Sequence, residues 1–263
     1  MKFVEKPLGE TQDISRSKDT VGEQFKLLAI VSIAAAVLYA LTGLAAQALI
    51  GTISEATEVQ LLADMSKAAV PDLIDDERAQ RIFERLVEQP GLRPYPYTLR
   101  KLPMKVPNAG ALPGGVIGVT PALLTTVRSD IGLAMVIAHE LGHHHHRHGL
   151  HRLGRSILWI AFKSLFSTDF TGGHALGLQL LESGHSRDEE READEFGLRL
   201  VYATYGDLTN ATEFFEWADQ SHGTAESLSR FVSSHPMSAE RIRNMKRLAA
   251  SLQAPSSTID RDQ

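Results

Sequence analysis

The sequence predicts an α+β domain, mostly helical, with a small antiparallel sheet and one transmembrane helix ahead of it. Three observations carry that expectation. Residues 27–50 hold no charged side chain. Two short runs, Tyr97–Lys101 and Val116–Thr120, read as strands around a turn-rich segment, Pro107–Gly115. From residue 121 to about residue 253 the pattern is mostly helical.

Composition bounds the rest. A chain of 263 residues with 43% hydrophobic content can bury one good-sized core and carry an appendage. The net charge of −5 offers no basic excess, so a nucleic-acid partner is not expected. With no cysteine, disulfides, thiolate nucleophiles and cysteine–zinc sites are excluded.

Residues 1–26 are polar and mixed in charge, and are expected to be poorly ordered. As a helix, residues 27–50 would reach roughly 36 Å, enough to anchor the chain across a hydrocarbon core of about 30 Å. Lys2, Lys6, Arg16, Lys18 and Lys26 precede the span, and the first basic residue after it is Lys67. Basic flanks stay in the cytoplasm, so the downstream domain should face away from it. A signal peptide cleaved near Ala46-Gln47-Ala48 is the rival reading, but its leading segment is long and acidic for that role. Residues 55–253 read as one globular unit. It opens with a helical run over 55–88, closed by Pro90-Gly91. Gly114–Thr120 could offer an edge strand to an extended peptide. A later apolar run, Ile157–Phe166, is interrupted by Lys163 and is too short to span a bilayer, so it reads as a core helix. Residues 254–263 read as a disordered tail.

The chemistry concentrates at His139-Glu140-Leu141-Gly142-His143, an HExxH sequence. Residues four apart on a helix share a face, so both imidazoles can reach one ion while Glu140 stands beside it as a base. The preceding Ile131–Ala138 is apolar on every side, which marks a buried helix. Buried imidazoles and a carboxylate need partners, and a zinc ion with its water supplies them. A catalytic zinc takes three protein ligands and keeps one position open. The metzincin pattern fails, because His146 and Gly149 stand where it needs glycine and histidine. The other histidines between His144 and His151 read as surface residues or as supports behind the ligands, since successive helical turns, about 5.4 Å apart, cannot converge on one ion. A better third ligand lies in Ser186-Arg-Asp-Glu-Glu-Arg-Glu-Ala-Asp194. Ser186 and Glu189 form a capping box that starts a helix. On that helix Glu190 and Asp194 share a face with Ala193, Gly197 and Val201. Glu190 can complete the ligand set, and Asp194, one turn on, can accept the outer N–H of a ligand histidine.

These residues resemble the HtpX and CAAX-prenyl-protease family of gluzincin zinc metallopeptidases. HELGH followed by Arg147-His-Gly149, and SRxxExEAD at 186–194, match that family's pattern. Asn108–Thr120 looks like its segment before the active-site helix, with Gly110 in place of the usual aromatic. Ser234-His235-Pro236, with Arg241 following, resembles a further motif. The resemblance implies a zincin-like domain with one zinc per chain held by His139, His143 and Glu190. It implies Glu140 as general base and Asp194 behind the ligands. It also places His235 near the metal, either steadying the oxyanion or capping the zinc. Arg241 enters with the same motif, although on its own it reads as a solvated arginine of an amphipathic helix whose apolar face is Ile242, Met245, Leu248 and Leu252. The single span resembles the periplasmic branch. The expectation is a bacterial inner-membrane endopeptidase with its domain in the periplasm, or alternatively facing the cytoplasm. Its substrates would be unfolded or misassembled envelope proteins. A zinc-binding chaperone or adaptor with little proteolysis is the competing reading.

Overall fold

A computed structural model describes residues 21–154, 184–220 and 234–254. The expected core helix at 157–166 and residues 255–263 of the tail lie outside the described residues, as do residues 1–20 of the polar segment 1–26, whose last six residues are helical rather than poorly ordered. The chain divides into two units, residues 1–45 and 46–263. Helix α1 is Val21–Thr52, and its residues up to 45 make up the described part of the first. Phe25, Leu28, Val31, Ile33 and Tyr39 are all exposed on it, and they leave it no polar face. Its stretch Gly22–Thr52 is long and apolar enough to cross a membrane.

In the second unit the expected run 55–88 is two helices, α2 (Glu55–Ala69) and α3 (Glu77–Val87). Pro71 lacks the N–H that would continue α2, and Asp76 restarts the helix by accepting the Ala79 amide at 2.8 Å. Three strands follow: β1 (Thr98–Lys101), β2 (Ala109–Leu112) and β3 (Val116–Val119), in the order β1-β3-β2. The expectation of an antiparallel sheet holds for β2 and β3, which Pro113-Gly114-Gly115 joins as a hairpin. Both glycines have φ above +80°, which this tight reversal requires. The pairing of β1 with β3 is parallel, because residues 102–108 carry the chain past the position of β3 before the hairpin forms. Gly114–Thr120 is therefore not an edge. It contains β3, the central strand, buried along its whole length.

Among the described residues, the helices α4 (Pro121–Thr126), α5 (Asp130–His145), α6 (Arg187–Tyr205), α7 (Glu213–Gln220) and α8 (Ala239–Gln253) follow the sheet. Leu86, Ile117, Leu133, Ile137, Phe214 and Phe215 form the centre of one core, with α5 running through it. Both ends of α5 are fixed. At its start, the Glu213 carboxylate accepts the Arg128 and Ser129 amides at 2.9 and 3.1 Å. There too, Arg78 donates to the Val127 and Arg128 carbonyls, each at 3.0 Å. At its end, His144 Nε2 meets the Val116 carbonyl of β3 at 3.2 Å. Arg147 then stops the helix by taking a left-handed conformation, φ 57°. A buried ion pair holds it there, Arg147 Nη2 to Glu58 Oε2 at 3.0 Å, and Tyr95 donates to the same oxygen at 2.6 Å.

Helix α6 crosses α5 at van der Waals limit. A methyl group at Gly142 would lie 3.0 Å from both Cα and O of Ala193, and one at Gly197 would lie 3.1 Å from the His139 amide nitrogen. Overpacking a core costs about 1–3 kcal/mol, against about 1 kcal/mol regained by replacing a helical glycine with alanine. Gly142→Ala should therefore lower stability in denaturant unfolding. Gly149→Ala meets nothing within 4 Å among the described residues, and should leave stability unchanged or raised. Equal stability of the two variants would show that the crossing has slack.

Candidate metal centre

Burial follows from the crossing. Small residues on α6 let its Glu190 and Asp194 face α5, whose last turns carry His139, Glu140 and His143. His139 and Glu140 are 0% exposed, and His143 and Glu190 are 1% exposed. His235, just ahead of α8, closes the group.

The donor atoms sit at the corners of a small polyhedron. His139 Nε2 is 3.1 Å from His143 Nε2, 3.3 Å from His235 Nδ1 and 3.5 Å from Glu190 Oε2. Glu190 Oε1 is 3.4 Å from His143 Nε2 and 3.0 Å from His235 Nδ1. Ligands bound to zinc at about 2.0–2.1 Å in a tetrahedron stand roughly 3.4 Å apart, so this donor set fits that ion. The Glu140 carboxylate lies alongside. Neither of its oxygens has a hydrogen-bond partner among the described residues, and Oε1 is 3.5 Å from His235 Nε2.

Each HExxH histidine turns Nε2 inward because its Nδ1 is engaged elsewhere. His139 Nδ1 is 3.0 Å from Asp194 Oδ1. His143 Nδ1 is 2.9 Å from His148 Nδ1, and His148 reaches back to it because the left-handed Arg147 reverses the chain. His148 Nε2 in turn meets Glu192 Oε2 at 3.0 Å. Arg241 is not the solvated residue that its helix pattern suggests. It is 8% exposed and grips Asp194 with two hydrogen bonds, Nε to Oδ2 at 2.6 Å and Nη2 to Oδ1 at 2.7 Å. Its Nη1 lies 2.5 Å from Glu190 Oε2, and its guanidinium sits over the Phe215 ring at 5.3 Å.

The remaining histidines divide. His144 and His148 are buried rather than on the surface, His144 against the rings of Tyr95 and Tyr97. His145 stacks on Phe196 at 4.4 Å. His185 was not singled out by the sequence reading. It is buried and stacks on His143 at 3.7 Å and on His235 at 5.0 Å. Its position just before the Ser186 capping box is the sequence signal that would have drawn attention to it.

Electrostatics follow from these contacts. Burial opposes the charge of Glu190, but His235 and Arg241 outweigh it and hold the carboxyl well below its ordinary range. Asp194 is likewise lowered, burial again opposing and Arg241 prevailing. For His139 burial disfavours the proton, yet hydrogen bonds to Asp194 and Glu190 raise it to about 9. Desolvation drives His143 the other way, well below its usual value.

Residues 74–249 match the sequence profile of peptidase family M48. The chain belongs to that family. Three relatives of this M48 chain carry the same name, mitochondrial metalloendopeptidase OMA1. The protein of Schizosaccharomyces pombe is 31% identical over 186 residues, 68% of this chain and 55% of the relative. That of Saccharomyces cerevisiae is 30% identical over 153 residues, 55% and 44% of the respective lengths. That of Arabidopsis thaliana is 33% identical over 137 residues, 51% and 28%. The chain thus spans about half the length, or less, of these relatives. M48 metallopeptidases use zinc, in accord with the two imidazoles and carboxylate gathered here.

Without metal, His139 holds its proton at neutral pH. Its raised value means that this contribution to stability is full below the ordinary histidine range, near 6.5, and is lost as pH rises through about 9. Zinc must displace that proton. Calorimetry at pH 7 in buffers of differing ionisation enthalpy should find about one proton released per zinc bound. Affinity should climb with pH until about 9. Binding with no proton release at pH 7 would mean that His139 is already neutral.

Proposed function

We propose that the chain is a membrane-anchored zinc endopeptidase that hydrolyses peptide bonds in unfolded or misassembled proteins. The observation that carries this reading is Glu140, a buried carboxylate beside the donor set with neither oxygen hydrogen-bonded among the described residues. A pure metal-binding protein would leave such a group uncompensated for no return. Family membership and three relatives named as metalloendopeptidases support the same reading.

In this proposal His139, His143 and Glu190 hold the ion. When bound, zinc polarises the scissile carbonyl and lowers the pKa of a bound water to about 7. Glu140 takes the proton of the attacking water and delivers it to the leaving amine. Asp194, itself clamped by Arg241, keeps the His139 ring oriented. His235 lies against Glu140 and Glu190 in the resting arrangement and moves aside to admit substrate. The substrate backbone pairs along β2, the strand at the sheet's edge beside α5. Thr120 donates to the Asn108 carbonyl at 3.0 Å, which sets the alternation so that Ala111 turns its N–H and C=O away from β3. Backbone pairing of this kind reads little side-chain identity and needs an extended chain, which suits unfolded substrates.

The same proposal divides the chain into a polar segment 1–26, an anchor 27–50, a catalytic domain 55–253 and a tail. The Lys and Arg residues ahead of the anchor favour a domain on the far side of the membrane from them. In a bacterial cell that side would be the periplasm.

Full-length protein in detergent, wild type against Glu140→Gln, tests the activity. At low free zinc both should hold one ion, and cleavage of unfolded casein should fall about 10²–10⁴-fold in the variant. Undiminished cleavage by Glu140→Gln would remove the assigned base. Equal cleavage of a folded protein and its denatured form would remove the quality-control role.

A further inference from the structure

The outer flank of the same helix pair gathers a second donor set. His146, His148 and Glu192 each present a ligand atom within 4.8 Å of the others. His146 and His148 stack in parallel, ring centres 5.3 Å apart and planes 14° apart. Glu192 of α6 reaches His148 Nε2 at 3.0 Å. His148 is buried and gives the set a fixed wall, while Glu192 is exposed and leaves a way in for an ion. Two imidazoles and one carboxylate, completed by a water ligand, suit zinc and its neighbours in the first transition row.

We propose that His146, His148 and Glu192 form a second, weaker site for a transition-metal ion, and that filling it opposes the inner centre. The link is His148. Its Nδ1 faces His143 Nδ1 at 2.9 Å. Two ring nitrogens at that distance share one proton. With His143 Nε2 turned to the inner ion, the proton belongs on His143 Nδ1 and His148 Nδ1 accepts it. His148 then carries its own proton on Nε2 and donates it to Glu192. An ion arriving at His148 Nε2 displaces that proton, and the neutral ring restores it on Nδ1. Two N–H groups now point at each other, and the His143 ring loses its orienting acceptor. The second ion therefore weakens the hold of His143 on the first. This coupling rests on the endopeptidase reading of the inner centre, whereas the existence of the outer site does not.

Full-length protein, purified in detergent without a polyhistidine tag, would be dialysed against rising free zinc and its metal content measured. Wild type should hold one ion at low free zinc and two at high free zinc. His146→Ala and Glu192→Gln should keep the first ion and bind the second about tenfold more weakly or worse, since removing even an indirect support of a metal ligand costs that much. Casein cleavage should fall as the second ion enters wild type, and should persist at the same zinc concentration in His146→Ala. A wild type that never exceeds one ion, or variants that take up a second as readily, would overturn the outer site. A second ion without loss of cleavage would overturn the coupling. If neither protein cleaves at any zinc level, the endopeptidase reading fails, while the count of ions still judges the outer site.

Discussion

The closeness of α5 and α6 is the constraint on which the centre depends. Gly142 lies inside the HExxH sequence and touches the backbone of Ala193. One turn further along α6, Gly197 touches the backbone at His139. These contacts set the separation of the helices, and the separation sets the distance from two imidazoles to two carboxylates. A side chain at either glycine would hold the helices apart, and no rotamer of Glu190 recovers several tenths of an ångström at every donor at once. Interiors packed to this density transmit such changes rather than absorb them.

Charge is arranged in layers behind that contact. Asp194 lies between His139 and Arg241, and Arg241 also reaches Glu190. A buried carboxylate pair is expensive unless it is matched. The guanidinium, lying over Phe215 and gripping Asp194 with two hydrogen bonds, is the fixed counter-charge. Fixed partners at the back leave the inward atoms little freedom, which is how ligands are held ready for an ion.

How much of this was legible depended on whether a residue's neighbours are helical neighbours. His139, Glu140 and His143 lie on one turn, and Glu190 and Asp194 on another, so spacing alone brings each set to a face. That the two faces meet was implied by glycine and alanine on α6. Arg241 was harder, because an arginine in an amphipathic pattern looks solvated until the opposing carboxylates are known. The run 55–88 concealed its break, since Pro71 falls between two segments that are each strongly helical. Strand β2 went unnoticed because Ala-Gly-Ala-Leu lacks the β-branched residues that mark a strand. Its pairing is imposed by the glycine turn rather than by its own side chains. Parallel pairing of β1 was invisible for a similar reason, as the skip over β3 is a property of the path and not of any residue. His235 lies far from both helices in sequence, and only the family resemblance pointed to it.

The left-handed Arg147 has a consequence for which lengths of chain the fold can accept. Had α5 continued, His148 would sit about 140° around the helix from His143, at roughly 100° per residue, and the two rings could not meet. The chain instead counts four residues from His143, reverses, and delivers His148 on the fifth. Surface connections ordinarily absorb an added or lost residue with little penalty. Here a single insertion or deletion would move both His148 and the Arg147–Glu58 pair out of place. The interval from His143 to His148 is thus a ruler as well as a turn, and tolerance to length change should end at α5's last turn although the chain there has already left the helix.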